Sequence, residues 1–402
     1  MRTIIRGPLA GTTGGAIAEQ ALKACVHCGM CNATCPTYQI RADELEGPRG
    51  RIYLMKQALE GEPVSRLTLD HLDSCLSCRA CETTCPSGVA YHRLYDIAHP
   101  VIAESVRRPA GEQLFRFGIR QLTRSPLLFR LALMVGRLVK PLLPGALKAK
   151  VTPPPPPSPW PKANQPRRMS ILPGCVQSAT APHFNATAAR VLDRAGISLV
   201  ESRKAGCCGA VSFHLEAPEE AKRAARRNIQ AWEADGTEAI IATSSGCASF
   251  IRDYPDLLRD DPAFAERARA VATRVRDPLQ VLAEAPPAVR RAPAAPRIAV
   301  QEPCSLQNGL KLTGQIAGLL RQLGYEPQPI ADNHLCCGSA GAYSLTQPEM
   351  SARLRDNKLA ALSATSPAAI YTANIGCWMH LAEATDIPVR HWIEAVDEVT
   401  RP

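Results

Sequence analysis

The sequence predicts a multi-domain chain: a mainly α-helical, cysteine-dense module followed by two repeated α/β units built on parallel sheets. Three observations predict it. Sixteen cysteines among 402 residues fall into four groups of four, with none left over. Two groups lie in the first hundred residues, where no Val/Ile alternation marks strands. The other two recur 129 or 130 residues apart, in segments where strand-like and helix-like stretches alternate. A repeat of that length is a duplicated domain, and the alternation is that of βαβ units.

Composition supports this reading. The length suggests two or three domains at ~150 residues each. A hydrophobic fraction of 46% is ample for real cores, and aromatics are few at 5%. Cysteine is about 4% of the chain, well short of the ~8–10% of a small disulfide scaffold. Residues 1–20 carry two Arg and no apolar signal-peptide core, and no run of ~18 uncharged apolar residues occurs. Collagen, disordered, secreted-knot and multi-span membrane classes are therefore excluded. The expected compartment is reducing and cytoplasmic, where cysteines serve as metal ligands more often than as disulfides.

The first domain is expected over 1–100, with a helix segment from Tyr53 to Leu59. Its first group reads Cys25-x2-Cys28-x2-Cys31-x3-Cys35-Pro36, and its second Cys75-x2-Cys78-x2-Cys81-x3-Cys85-Pro86. This is the bacterial ferredoxin spacing: three close thiolates wrap one face of a cubane, and the fourth reaches the other cluster. The chain is thus expected to open with a ferredoxin-type domain holding two [4Fe–4S] clusters. Cys25, Cys28, Cys31 and Cys85 would hold the first, and Cys75, Cys78, Cys81 and Cys35 the second. Zinc would call for separated Cys-x2-Cys pairs instead. His27 and His71 nearby are expected to be structural or surface imidazoles.

Residues 101–150 carry ten Arg or Lys against Glu104 and Glu112, most of the chain's net +10. Leu127, Leu128, Leu131, Met134, Val135 and Leu138 recur at helical spacing with Arg130, Arg137 and Lys140 between them. Such a helix either packs on its own protein or forms a docking surface for a membrane face or a partner subunit. Residues 151–168 are a stiff linker around Pro153 to Pro157, Pro159 and Pro161, and mark a domain break.

The α/β copies are expected over 169–290 and 296–402, separated by the Ala/Pro-rich 285–296. In the first, Ser170 to Leu172, Ile197 to Val200 and Glu238 to Ala242 read as strands; His183 to Ala195 and Pro218 to Ala234 read as helices. In the second, Ile298 to Val300 and Ala369 to Thr372 read as strands; Gly314 to Leu323 and Pro348 to Leu362 read as helices. Each copy is Rossmann-like and drops its cysteines into loops after strands, where ligands of parallel sheets gather. The first copy offers Cys175, Cys207, Cys208 and Cys247. The second offers Cys304, Cys336, Cys337 and Cys377, with His380 as a further nitrogen ligand or proton donor. Each set contains Cys-Cys-Gly and has enough thiols for one more iron–sulfur cluster, with the second copy favoured; packing or other redox roles are the alternative. No P-loop or dinucleotide fingerprint is present. No catalytic residue and no cofactor site beyond the clusters is expected. A chain that carries electrons but has no organic hydride acceptor points to a partner subunit, and no nucleic-acid partner is expected.

Several stretches are similar to the iron–sulfur subunits of glycolate oxidases. They are Cys28-Gly29-Met30-Cys31-Asn32-Ala33-Thr34-Cys35-Pro36-Thr37-Tyr38, Asp43 to Ile52, Cys81 to Val89, Leu335 to Gly341, and Asn374-Ile375-Gly376-Cys377 with His380. The Cys-Cys-Gly boxes alone also resemble the small subunit of anaerobic glycerol-3-phosphate dehydrogenase, lactate-utilisation proteins and heterodisulfide reductases. The resemblance implies a complex with two flavoprotein-type subunits, one oxidising glycolate or a related 2-hydroxy acid. This chain would relay electrons to a quinone or other membrane acceptor, from the cytoplasm or a peripheral position on the inner face of the membrane. The alternative it implies is a thiol or disulfide reductase acting at a Cys-Cys-Gly cluster. Two departures count against that alternative. Ser305 stands where related second boxes often have His, and Phe250 and His380 stand where a heterodisulfide reductase box places its fifth thiol.

Overall fold

The computed structural model describes all residues except Met1, 144–147, 149–150, 152, 154, 157, 203, 290–295 and Pro402. The expected linker and the separator between the copies therefore fall partly outside the described residues. The chain divides into two compact units. One comprises Met1–Phe115 and His334–Leu354, the other Arg116–Asn333 and Arg355–Pro402.

The described residues of the first unit form helices and loops, with no strand. Thr12 caps the helix Thr13–Ala24 by accepting from the Gly15 N–H, and the helix runs out at Cys25. Ala18 and Leu22 on this helix share a core with Met55 and Leu59 of Pro48–Leu59. Leu94, Ala98 and Ile102 of Tyr91–Ser105 complete it. These residues stand four apart on each helix, so each presents one apolar stripe. Cys25 and Cys81 belong to the same core, so the cysteine loops rest directly on it.

The second unit contains two four-stranded sheets. Strands β1 (Arg167–Ile171), β2 (Ile197–Glu201), β3 (Ile240–Ile241) and β4 (Val275–Arg276) form the first, in the order β2-β1-β3-β4. Strands β5 (Arg297–Val300), β6 (Glu326–Pro327), β7 (Ala369–Thr372) and β8 (Val389–His391) form the second, in the order β6-β5-β7-β8. Every pairing is parallel, with Ser170 opposite Val200 and Ile240 in one sheet and Ala299 opposite Ile370 in the other. Identical order in both sheets bears out the duplication. Strand order reverses direction at β1 and at β5, and the carboxyl end of such a strand is where open α/β sheets bind ligands. The sequence did not foretell β4, β6 and β8, which carry Arg, Glu, Pro or His in place of the apolar run Ala239 to Ala242 that marked the similarly short β3.

Within this unit the two copies are joined through buried polar contacts. The Ser245 N–H donates to the Ala373 carbonyl at 3.0 Å, and the Ser244 hydroxyl donates to Asn374 Oδ1 at 2.7 Å. His391 of β8 is fully buried; its Nε2 lies 2.8 Å from the Thr243 carbonyl, and its Nδ1 accepts from the Ile393 N–H at 3.2 Å. These partners assign the neutral tautomer with the proton on Nε2.

The basic segment forms the helices Ala110–Arg124 and Pro126–Leu138. On the second, Leu133 is buried, but Leu127, Leu128, Leu131, Met134, Val135 and Leu138 are exposed. The expectation of a helix packed on its own protein holds only for the Leu133 side, because the apolar stripe is wider than the surface that receives it. No helix among the described residues is long and apolar enough to cross a membrane.

Burial holds the His391 pKa down at about 4, below the ~6.5 of the unfolded chain. As pH falls through ~6.5 the unfolded chain takes up the proton first, so the stability this group lends above that pH is lost towards pH 4. Between pH 7 and pH 5 the wild type should lose about 2 kcal/mol relative to His391→Asn. Urea titrations followed by tryptophan fluorescence measure the difference, and parallel pH profiles would refute the assignment.

Candidate metal centres

The two N-terminal cysteine loops share a backbone device. Two and four residues after Cys25 stand His27 (φ 59°) and Gly29 (φ 82°); two and four after Cys75 stand Ser77 (φ 50°) and Arg79 (φ 60°). Left-handed residues at these positions curl each loop and turn its amides inward. The Ser77 N–H lies 3.4 Å from Cys75 Sγ, and the Val89 N–H lies 3.4 Å from Cys85 Sγ. The contribution of His27 is this backbone turn, which the sequence could not show; the glycine at 29 was the one visible sign of it.

The sulfurs sort into two neighbourhoods. Cys25, Cys28, Cys31 and Cys85 line one open pocket, walled by Ile52 and Val89, and Cys81 also reaches its wall. Burial pushes the Cys31 thiol up to about 11, with Cys25, Cys85 and Cys28 adding repulsion. Burial likewise raises Cys25, with Cys85 and Cys28 as its repelling neighbours. In the other neighbourhood burial raises Cys81 strongly, with repulsion from Cys78, Cys75 and Cys35. Each close run of three thus meets the fourth cysteine of the other run.

The second neighbourhood also holds a buried cation that sequence reasoning missed. Arg51 is 1% exposed. Its Nη1 lies 3.9 Å from Cys35 Sγ, its Nη2 donates to Glu46 at 3.0 Å, and its Nε donates to the His71 carbonyl at 2.7 Å. Burial works against its charge, but Cys75, Tyr91, Cys35 and Glu46 outweigh that and raise its pKa further. The Tyr91 hydroxyl donates to Cys75 Sγ at 3.6 Å. By contrast Arg49, beside the first neighbourhood, is partly exposed and committed to Glu44 at 2.7 Å. In the sequence Arg51 is one arginine among many, and only the packing of helix Pro48–Leu59 aims it at sulfur.

In the second unit, Cys175 follows β1, Cys207 and Cys208 follow β2, and Cys247 follows β3, all beyond carboxyl ends. The four thiols are electrostatic neighbours in series, Cys175 and Cys208 beside Cys207 and Cys247 beside Cys208. That proximity, with the Gly209 N–H 3.4 Å from Cys207 Sγ, lowers the Cys207 pKa and, with burial, raises those of Cys175 and Cys208. Of the second copy's candidates, Cys304 and Cys377 belong to the second unit, where Asn374 Nδ2 donates to Cys377 Sγ at 3.5 Å. Cys336 and Cys337 belong to the first unit. His380 is buried, with Nδ1 3.0 Å from the Glu383 carboxylate.

The N-terminal donor set fits iron–sulfur clusters. Two groups of four soft sulfurs, inward amide N–H groups and burial that makes adjacent thiolates untenable without cationic metal are what such clusters require. A Cβ on Gly29 would come within 2.6 Å of Arg49 Nη1 at a left-handed φ of 82°. Gly29→Ala should therefore cost ~1 kcal/mol or more. Thermal unfolding and iron content per chain check this, and an unchanged variant would contradict the loop geometry.

Comparisons with known proteins agree with this architecture. The model of a 4Fe-4S dicluster domain matches residues 21–89, and that of a cysteine-rich domain matches 169–252 and 298–382. The chain is 47% identical over 391 residues to the glycolate oxidase iron-sulfur subunit of Escherichia coli, covering 95% of each. It is 31% identical over 401 residues to a probable glycolate oxidase iron-sulfur subunit of Bacillus subtilis, covering 90% of this chain and 89% of the relative. Lactate utilization protein A of Exiguobacterium is 25% identical over 231 residues, 56% of this chain and 94% of that protein. The fold is similar to a crystal structure of a hypothetical protein from Helicobacter pylori, with a TM-score of 0.58 and 9% identity over 96% of this chain and 72% of that one. Near-complete coverage at this identity means that the chain belongs to the family of glycolate oxidase iron–sulfur subunits.

Proposed function

We propose that this chain is the electron-relaying subunit of a flavin-dependent glycolate or related 2-hydroxy-acid dehydrogenase. Two flavoprotein-type subunits would take the electron pair from the substrate, and this chain would pass single electrons to a quinone or other membrane acceptor. The observation that supports the reading is the clustering of N-terminal sulfurs on one helical core, with Cys25, Cys28, Cys31 and Cys85 around one pocket and Cys78, Cys75 and Cys35 as neighbours of Cys81. Cys25, Cys28, Cys31 and Cys85 would hold one [4Fe–4S] cluster, and Cys75, Cys78, Cys81 and Cys35 the other. When bound, such clusters supply one-electron redox steps. The protein's part is to hold the sulfurs, aim amide dipoles at them and exclude water from the deeper set. Cys175, Cys207, Cys208 and Cys247, which follow successive strands of one sheet, would offer a further cluster site. Disulfide-reducing chemistry at a Cys-Cys-Gly site is the alternative. The burial of Cys175, Cys207 and Cys208 weighs against it, because a protein disulfide could not reach them.

The anaerobically purified chain should contain iron and acid-labile sulfide yet oxidise no glycolate until the flavoprotein subunits are added. Glycolate oxidation by the pure chain, or zinc in place of iron and sulfide, would refute the proposal. Crossed ligation has its own test. By electron paramagnetic resonance of the reduced protein, Cys85→Ser should abolish the same cluster signal as Cys28→Ser, and Cys35→Ser the same signal as Cys78→Ser. The opposite pairing would overturn the assignment.

Loss of the buried Arg51 charge should make the second cluster harder to reduce. Arg51→Gln should lower its midpoint potential by tens of millivolts or more, where ~59 mV is a tenfold change for one electron. Arg51→Lys should keep most of the original value. Redox titration of each cluster signal decides, and equal shifts at both clusters would deny Arg51 a selective effect.

A further inference from the structure

We propose that the exposed stripe of helix Pro126–Leu138 docks flat on an anionic phospholipid surface. The proposal deepens the membrane-acceptor reading above by naming the element that would meet the bilayer. Its physical grounds lie in this helix and the basic segment around it.

Leu127, Leu131, Met134 and Leu138 follow one another at steps of four, three and four, on one face of the helix. Their exposures are 67%, 47%, 60% and 83%. Leu128 and Val135 widen the stripe, and Leu142, 85% exposed, extends it beyond the helix end. A contiguous apolar surface of this kind marks an interaction site.

Charge selects the occupant. Between Glu112 and Asp193 the sequence contains twelve Arg or Lys and no Asp or Glu. On the preceding helix the arginines face acids: Arg116 meets Glu216 at 3.2 Å, and Arg120 and Arg124 meet Glu220 at 3.6 and 3.9 Å. Around Pro126–Leu138, Arg130 donates to the Ser178 carbonyl at 2.9 Å and Lys140 to the Val151 carbonyl at 3.2 Å. Carbonyls orient a cation without cancelling its charge. At 100° per residue, Arg130 and Arg137 fall on the border between the exposed stripe and the buried Leu133 side.

A helix lying in a lipid interface needs this cross-section. Its apolar face enters the acyl boundary while flanking cations stay level with the phosphates. Helix, flanking cations and missing acids together therefore favour a lipid surface over a protein one.

The test is vesicle co-sedimentation of the full chain, reconstituted anaerobically with iron and sulfide. Binding is compared on phosphatidylcholine vesicles with and without about a third phosphatidylglycerol. The wild type should bind only the anionic vesicles and weaken as salt shortens the Debye length. The double variant Leu131→Glu, Met134→Glu should bind at least about tenfold more weakly with iron content and circular dichroism unchanged, since it removes apolar area and adds repelling charge. Hydrogen exchange on the wild type supplies a second reading, with slowed exchange at 126–138 expected on anionic vesicles only. Failure of the wild type to bind, equal binding to neutral lipid, or unaltered binding by the variant would overturn the proposal. Loss of flavoprotein association in the variant with vesicle binding intact would also overturn it and make the stripe a protein interface. No electron donor takes part, so failure of the relay reading would leave this outcome untouched.

Discussion

Mutual repulsion among crowded sulfurs is the constraint on which the first unit depends. Burial and like-charged neighbours together raise Cys25, Cys31 and Cys81, so these thiols cannot ionise together unaided. Metal binding turns that penalty into affinity, because each ligand must be a thiolate and the metal's charge stabilises it. The surrounding architecture serves the same end. Left-handed residues at 27, 29, 77 and 79 curl the loops, and the helices Thr13–Ala24 and Tyr91–Ser105 supply a stiff floor.

The two sulfur neighbourhoods are built from repeated sequence, yet their surroundings differ. One opens to a surface pocket, with Cys28 exposed and Arg49 drawn off to Glu44. The other is closed around Arg51, Thr37 and Tyr91, with a cation held near Cys35 and a hydroxyl on Cys75. Burial, charge and hydrogen bonds to sulfur are the levers that set cluster potentials. A duplicated motif can thus yield two unlike redox sites without any change of ligand.

The second unit shows the same divergence within a repeat. Both sheets keep one strand order, and both copies place cysteines after the first three strands. In the first copy the four thiols are electrostatic neighbours in series. In the second, the adjacent pair Cys336–Cys337 lies in a segment, His334–Leu354, that belongs to the other compact unit. The buried His391, which caps the last helix and reaches Thr243, helps tie the copies into one body.

The sequence by itself determined the cysteine groups, the duplicated α/β copies and the long elements. Spacing along a chain is what close thiol loops and βαβ units are made of, and strands such as Ala369–Thr372 and helices such as Pro218–Asp235 are long enough to show their period. Only tertiary structure decided the rest. The two- and three-residue strands β4, β6 and β8 exist because neighbouring strands complete their hydrogen bonds. Arg51 reaches sulfur because its helix packs beside the second cysteine loop. The Leu127–Leu138 stripe has the same pattern whether buried or bare; its exposure follows from how much apolar surface the rest of the unit offers it. Periodicity is local information, whereas burial and the company a charge keeps come from residues far away in the chain.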